Sequence, residues 1–184
     1  HELRLSTPID IVGYPVKVFE NLPNLDINLD YDYNFLTIAQ FGLRKNLPNT
    51  IKWFVEEFHD DEVGLLVKSN MSKNCLMDRR QLEVNLKGIL NEYKNRKCKV
   101  YFIHGDMTDE EIHSLYVHPK IKALLALPHG EGFGLPIFEA AYSGLPVVAT
   151  GWSGQLDYLV DASGQEQFYS VAFDIQPVQE KAVW

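Results

Sequence analysis

Residues 35–173 predict an α/β fold, a Rossmann-like parallel sheet with helices on both faces. Three features carry this expectation. Short apolar runs alternate with stretches whose apolar residues recur at i, i+3, i+4 and i+7. The runs stay apolar on successive residues, as strands covered on both faces do. Loops rich in glycine or in cations follow several of the runs, where a βαβ unit would turn.

Residues 35–39 read as the first strand, and Ile51, Phe54, Val55 and Phe58 mark one face of the helix after it. Residues 63–67 give the second strand. Leu82, Leu86, Ile89, Leu90 and Tyr93 repeat the helical stripe, with Lys94, Arg96 and Lys97 expected in its last turn, where cations suit the helix dipole. The third strand is 100–103. Thr108 and Glu111 have the T-x-x-E spacing of a capping box, which would start a short helix through Tyr116. Residues 121–127 form the fourth strand. Pro136 suits the first turn of a helix running to about Ser143, and Gly144 suits its end. A fifth strand at 145–150, a short helix at 155–160 and a strand-like piece at 168–173 complete the series. Residues 1–34 lack a helical period. Pro8, Pro15 and Pro23, with Asp26, Asp30 and Asp32, read as an extended connector carrying a short strand near 9–12. The expected division is a connector over 1–34 and one domain over 35–184.

The 184 residues have room for one domain whose core needs no disulfide or metal to hold it. The net charge of −8 argues against nucleic acid as the main partner, so an anionic ligand would need a local cluster of cations or amides. Cys75 and Cys98 have neither C-x-x-C spacing nor a histidine grouping, which suggests reduced thiols in a cytosolic setting. No apolar run approaches the ~18 residues of a membrane span, and no signal peptide is recognisable. The first residue is His1, which reads as a piece of a longer protein.

Ligands of open parallel sheets bind beyond the carboxyl ends of the strands. Those ends carry Arg44-Lys45-Asn46, Lys68-Ser69-Asn70, His104-Gly105-Asp106-Met107, the segment Gly130-Glu131-Gly132-Phe133-Gly134-Leu135-Pro136, and Gly151-Trp152-Ser153-Gly154. The glycines of the fourth loop let the backbone approach a ligand closely, and the next helix would offer unpaired N–H groups to a phosphate. Glu131 and Glu139 flank this loop. Carboxylates accept hydrogen bonds and repel anions, so they should face hydroxyl groups. Amide donors for phosphate beside carboxylate acceptors for polyols point to one ligand carrying both, a sugar nucleotide.

The stretch from Glu131 to Glu139, followed by Ala-Ala-Tyr-Ser-Gly-Leu-Pro-Val-Val-Ala, resembles the Glu-x7-Glu signature of group-1 glycosyltransferases, retaining enzymes of the GT-B fold. Arg44-Lys45-Asn46, the segment from His104-Gly105 to Glu111, and Gly151-Trp152-Ser153-Gly154 with Asp157 resemble further family segments in the same order. The resemblance spans roughly residues 10–184 and implies a GT-B C-terminal domain that binds a nucleotide-diphosphate sugar. It implies that Glu139 binds the ribose and that Glu131, the candidate catalytic residue, lies against the transferred sugar. The amides of Gly132, Phe133, Gly134 and Leu135 would hold the distal phosphate and sugar. Arg44 and Lys45 would neutralise the diphosphate, Met107 would lie near the base, and Ser153 and Gly154 would line the sugar site. Ala39-Gln40 stands where many members have Gly-Arg, so Arg44, Lys45 or Lys68 must supply the missing charge. By the same resemblance no metal or other cofactor is expected. The acceptor, a glycan, lipid or protein, would sit largely on an N-terminal domain of the same polypeptide. The expected location is cytoplasmic, or peripheral to a membrane in the full-length protein.

Other readings weigh less. A glycosidase acid/base pair, with carboxylates ~5–9.5 Å apart, leaves the glycine turn and Arg44-Lys45 without a task. The glycines follow the fourth strand and lack G-x-G-x-x-G spacing, which argues against an NAD site. A nucleotide-sugar epimerase of GT-B fold and a non-catalytic sugar-nucleotide-binding module remain as alternatives.

Overall fold

The computed structural model describes Pro8, Asp10 and residues 12–177. The strands are β1 (Asn34–Ile38), β2 (Gly64–Lys68), β3 (Lys99–Ile103), β4 (Ile121–Ala126), β5 (Val147–Thr150) and β6 (Tyr169–Val171). Between them run α1 (Leu47–Glu57), α2 (Leu76–Leu90), α3 (Asp109–Tyr116), α4 (Leu135–Tyr142) and α5 (Leu156–Leu159). All five strand pairings are parallel, in the order β3-β2-β1-β4-β5-β6. The chain builds outward from β1 to β3, then returns to lay β4 on the other side of β1. At that reversal the loops after β1 and β4 leave adjacent strands at the carboxyl rim, the place where ligands of open parallel sheets bind.

Successive strand residues point to opposite faces, and each face has its own helices. Ile51, Phe54 and Val55 of α1 and Leu86 of α2 pack with Leu65, Val67 and Leu125 on one face. Leu115 and Tyr116 of α3, Ile137 and Ala140 of α4, and Leu159 of α5 pack with Leu36, Leu66, Leu124 and Val147 on the other. Leu29, before β1, is buried in this second cluster.

Most expected elements appear within one or two residues, and the exceptions have physical causes. The first helix starts at Leu47 because Asn46 takes a left-handed conformation, φ 54°, that turns the chain into it. The second starts at Leu76, ahead of the apolar stripe, since Leu76 and Met77 are exposed and carry no amphipathic signal. It ends at Leu90, so Lys94, Arg96 and Lys97 lie past its last turn rather than in it. Arg96 still reaches back, donating to the carbonyls of Leu90 and Tyr93 at 3.4 and 3.2 Å. The fifth strand is shorter than 145–150, beginning after Pro146. The capping box forms as expected, with Thr108 Oγ1 accepting from Glu111 N and Glu111 accepting from Thr108 N. The short strand expected near 9–12 falls largely outside the described residues, and Asp10 and Val12 are not in a strand. Cys75 is exposed, Cys98 is buried, and neither is in a disulfide.

One buried charge organises the rim beside β2 and β3. Asp78, in the first turn of α2, accepts the Met71 amide at 3.0 Å on Oδ1. Its Oδ2 accepts the Ser72 and Lys73 amides at 2.8 and 2.9 Å. His104 Nε2, from the end of β3, lies 2.8 Å from Oδ1, and both side chains are about 5% exposed. The Met71 amide foremost, with those of Lys73 and Ser72 and with His104, holds the carboxyl well below the usual range against the opposing effect of burial. A depressed folded-state pKa means stability that is complete above the unfolded carboxyl pKa of about 3.9 and lost as pH falls through the lower folded value. Asp78→Asn is therefore expected to melt several degrees below the native protein at pH 6–8, with the gap closing below about pH 4. Thermal melts across pH check this. A gap that stayed constant to pH 2 would show that the Asp78 charge contributes no such stability.

Candidate active site at the β1–β4 crevice

Three rim segments converge beyond β1, β4 and β5. His129 N donates to Arg44 O at 2.9 Å, and Asn46 Nδ2 donates to Leu127 O at 3.0 Å, which joins the loop after β1 to the loop after β4. The loop after β5 is joined more tightly. Ser153 Oγ accepts from Glu131 N at 3.0 Å and donates to Glu131 O at 2.5 Å, while Gly154 N donates to the same carbonyl at 3.2 Å. Gly154 lies so close that an added Cβ would stand 1.8 Å from Gly132 O. Ser153 has φ 87°, a conformation glycine adopts freely and serine does not, and its paired bonds to Glu131 hold it there.

Glu131 is the charged centre. Lys45 Nζ lies 2.5 Å from its Oε1 and Arg44 Nη1 3.3 Å from its Oε2, with the carboxylate side chain only 9% exposed. Arg44 Nη1 also donates to Gly130 O at 3.0 Å. The two cations expected at the diphosphate are thus partnered with the expected catalytic acid.

Past Glu131 the turn sends its carbonyls to one side. Glu131 O meets Ser153 and Gly154, and Gly132 O lies against Gly154. Tyr158 Oη shares its one proton between Phe133 O at 2.8 Å and Gly134 O at 3.0 Å. A trans peptide points its C=O and the next N–H in opposite directions. The amides of Gly132, Phe133, Gly134 and Leu135 therefore face away from the segment 153–158. Among the described residues none of the four has a hydrogen-bond acceptor. Gly134 makes this turn possible with φ 82°, and it precedes the first turn of α4.

Glu139 lies further along α4. Its Oε2 accepts from Tyr116 Oη of α3 at 3.0 Å, and not from any group of the turn. Half-burial pushes its carboxyl up from the ordinary value, and the Tyr116 hydrogen bond opposes that shift. Burial also pushes the Tyr116 phenol far up, so it stays a donor.

Arg44, Lys45, Glu131, Ser153, Gly154 and the turn 132–135 thus come together, whereas Lys68 and Met107 do not join them. Lys68 Nζ donates to Gly105 O at 2.6 Å, and burial lowers its pKa although Asp106 opposes this. Met107 packs against the apolar cluster under α3. Gln40 donates to Met71 O, tying the loop after β1 to the loop after β2. Sequence reasoning misses Tyr158 and Tyr116 as site residues. Their signal is faint: each is an aromatic on an apolar helical face, indistinguishable there from core.

A cleft of about 740 Å³ lies elsewhere, between α4, α5 and the starts of β5 and β6. Aromatic residues such as Tyr142, Phe168 and Tyr169 line it, and among the described residues Glu166 is its one charged group, so nothing there would neutralise a diphosphate. The close loop contact makes a sharp test. Gly154→Ala is expected to destabilise by about 1–3 kcal/mol in urea unfolding, because the backbone of Gly132 must move. Gly132→Ala, which meets nothing within 4 Å, should cost under about 0.5 kcal/mol. Equal losses would contradict a backbone contact between the two loops.

Comparison with known proteins bears on the family and the fold. No curated protein matches the sequence. Among solved structures, "Trehalose-6-phosphate from E. coli bound with UDP-2-fluoro glucose" aligns with a TM-score of 0.54 and 15% identity over 69% of this chain and 31% of that one. A glycosyltransferase from Rickettsia africae gives 0.54 and 17% identity over 72% and 32%. The C-terminal domain of a glycosyl transferase group 1 family protein (LpcC) from Francisella tularensis gives 0.50 and 19% identity over 76% and 67%. The chain spans about a third of the length of the first two. At these identities the likeness establishes the fold, a Rossmann-like domain of GT-B type. The model of the family "Glycosyl transferases group 1" matches residues 29–174, well over half of the sequence, and takes in the β1–β4 crevice with its glycine turn. The chain belongs to the group 1 glycosyltransferases.

Proposed function

We propose that this chain is the donor-binding part of a retaining glycosyltransferase and that it takes a nucleotide-diphosphate sugar. The observation that carries the reading is the row of four amides without acceptors at 132–135, adjoining Glu131 with Lys45 and Arg44. Oriented amides and cations are most effective where charge develops, and each donor at such a site is worth on the order of 3–4 kcal/mol. In transfer from a nucleotide-diphosphate sugar, charge develops on the diphosphate as the bond to the sugar breaks.

In this reading the amides of Gly132–Leu135 receive the distal phosphate and sugar. The diphosphate draws Lys45 and Arg44 from Glu131, an exchange of one anionic partner for another. Glu131, freed of its cations, then turns its carboxylate to the sugar hydroxyls near the anomeric carbon. Ser153 keeps its backbone fixed throughout. The Oε1 of Glu139 has no donor among the described residues and would accept from the ribose, while Tyr116 holds Oε2. The leaving group departs through an oxocarbenium-like state, with the acceptor arriving on the same face. That acceptor would be supplied by an N-terminal domain of the full-length enzyme.

A thermal-shift panel of UDP-, GDP-, ADP- and dTDP-sugars tests the reading. One class should stabilise the chain, by about 2.7 kcal/mol at one hundred times its dissociation constant. Lys45→Ala and Glu139→Ala should each weaken that ligand at least ten-fold. No stabilisation by any of the four, or unchanged affinity in both variants, would contradict it.

A further inference from the structure

We propose that Tyr158 is a positioning residue for the diphosphate, acting through the carbonyl of Phe133 to aim the Gly134 amide. The inference rests on the nucleotide-sugar reading above and adds a residue to it.

The peptides of the turn differ in how firmly they are held. The carbonyl of Glu131 has two donors, Ser153 Oγ and Gly154 N, so the Gly132 amide is fixed twice over. The carbonyl of Gly134 accepts from Ile137 N and Phe138 N of α4 at 2.9 and 3.0 Å besides Tyr158, so the helix itself fixes the Leu135 amide. The carbonyl of Phe133 is different. Among the described residues Tyr158 Oη, at 2.8 Å, is its one donor. Because the peptide is planar and trans, the direction of that carbonyl sets the direction of the Gly134 N–H. Gly134 has φ 82° and no side chain to limit the flanking peptides, so this peptide could otherwise rotate.

The tyrosine is itself well held. Its ring packs on Phe133 at 5.0 Å and on Phe138 at 5.1 Å between centroids, and Phe133 and Phe138 lie 5.2 Å apart. Tyr14 closes the cluster against Phe133 at 5.2 Å. The ring contacts fix where the hydroxyl stands, and the hydroxyl fixes the peptide. Burial, joined by the nearby Glu131 charge, pushes the phenol well up, so it remains a donor across the neutral range.

The test uses inorganic pyrophosphate and the amide NMR spectrum of the whole chain. In the native protein, saturable shifts are expected at Gly132, Gly134 and Leu135. Tyr158→Phe keeps the ring contacts and removes only the donor, so its melting temperature should show it folded. Its pyrophosphate affinity should fall about ten-fold, as for one lost hydrogen bond to a charged ligand, with the Gly134 shift diminished most. Tyr142→Phe, which removes the hydroxyl of an exposed tyrosine at the end of α4, should match the native protein. Native-like affinity and an undiminished Gly134 shift in Tyr158→Phe would overturn the role of Tyr158 and leave the sugar-nucleotide reading standing. An absence of saturable shifts at 132–135 in the native protein would overturn both.

Discussion

The peptide groups of residues 131–135 share one orientation, and most of the site depends on it. Four successive carbonyls are turned toward the loop after β5 and the helix beyond it. The corresponding amides are left facing the other way without acceptors among the described residues. Gly134 and Leu135 open α4, and the first amides of a helix have no acceptor within it, so they are available to a ligand. The unusual φ of Ser153 and the near-contact of Gly154 with Gly132 belong to the same arrangement, since both bring the β5 loop close enough to engage the carbonyls.

The sheet supplies the place for this turn. With β4 returning to lie beside β1, the loop carrying Arg44 and Lys45 and the loop carrying Glu131 leave adjacent strands and meet at the rim. Their ion pairs bring one buried acid and two cations together at a single point of the rim. On the neighbouring rim, Asp78 serves a different end. It gathers three loop amides and His104 into one buried knot and holds the loop after β2 in a fixed shape.

Much of the fold is legible in the sequence because its signals are local. Alternating apolar runs and helical stripes locate the strands, and Thr108 with Glu111 marks a helix start that the structure reproduces bond for bond. Helix starts without such marks escape the pattern, as at Leu76, where the first turn presents apolar side chains to solvent. The loops that meet at the rim can be named from their glycines and cations. What they do to one another cannot. The pairing of Lys45 with Glu131 joins residues far apart in the chain, and the bonds from Tyr158 to the turn depend on how α5 docks on the sheet. Nor does the sequence alone distinguish a phenol that buries its ring from one that also orients a peptide.

In the proposed function, a diphosphate bound on the amides of 132–135 is the feature from which the rest of the site's chemistry follows. A crystal structure of the chain soaked with a non-hydrolysable nucleotide-diphosphate sugar measures its position directly. Phosphate oxygens are expected within about 3 Å of the Gly134 and Leu135 nitrogens, with Lys45 moved off Glu131 onto the diphosphate. A diphosphate bound elsewhere on the rim, with the Lys45–Glu131 pair intact, would contradict it.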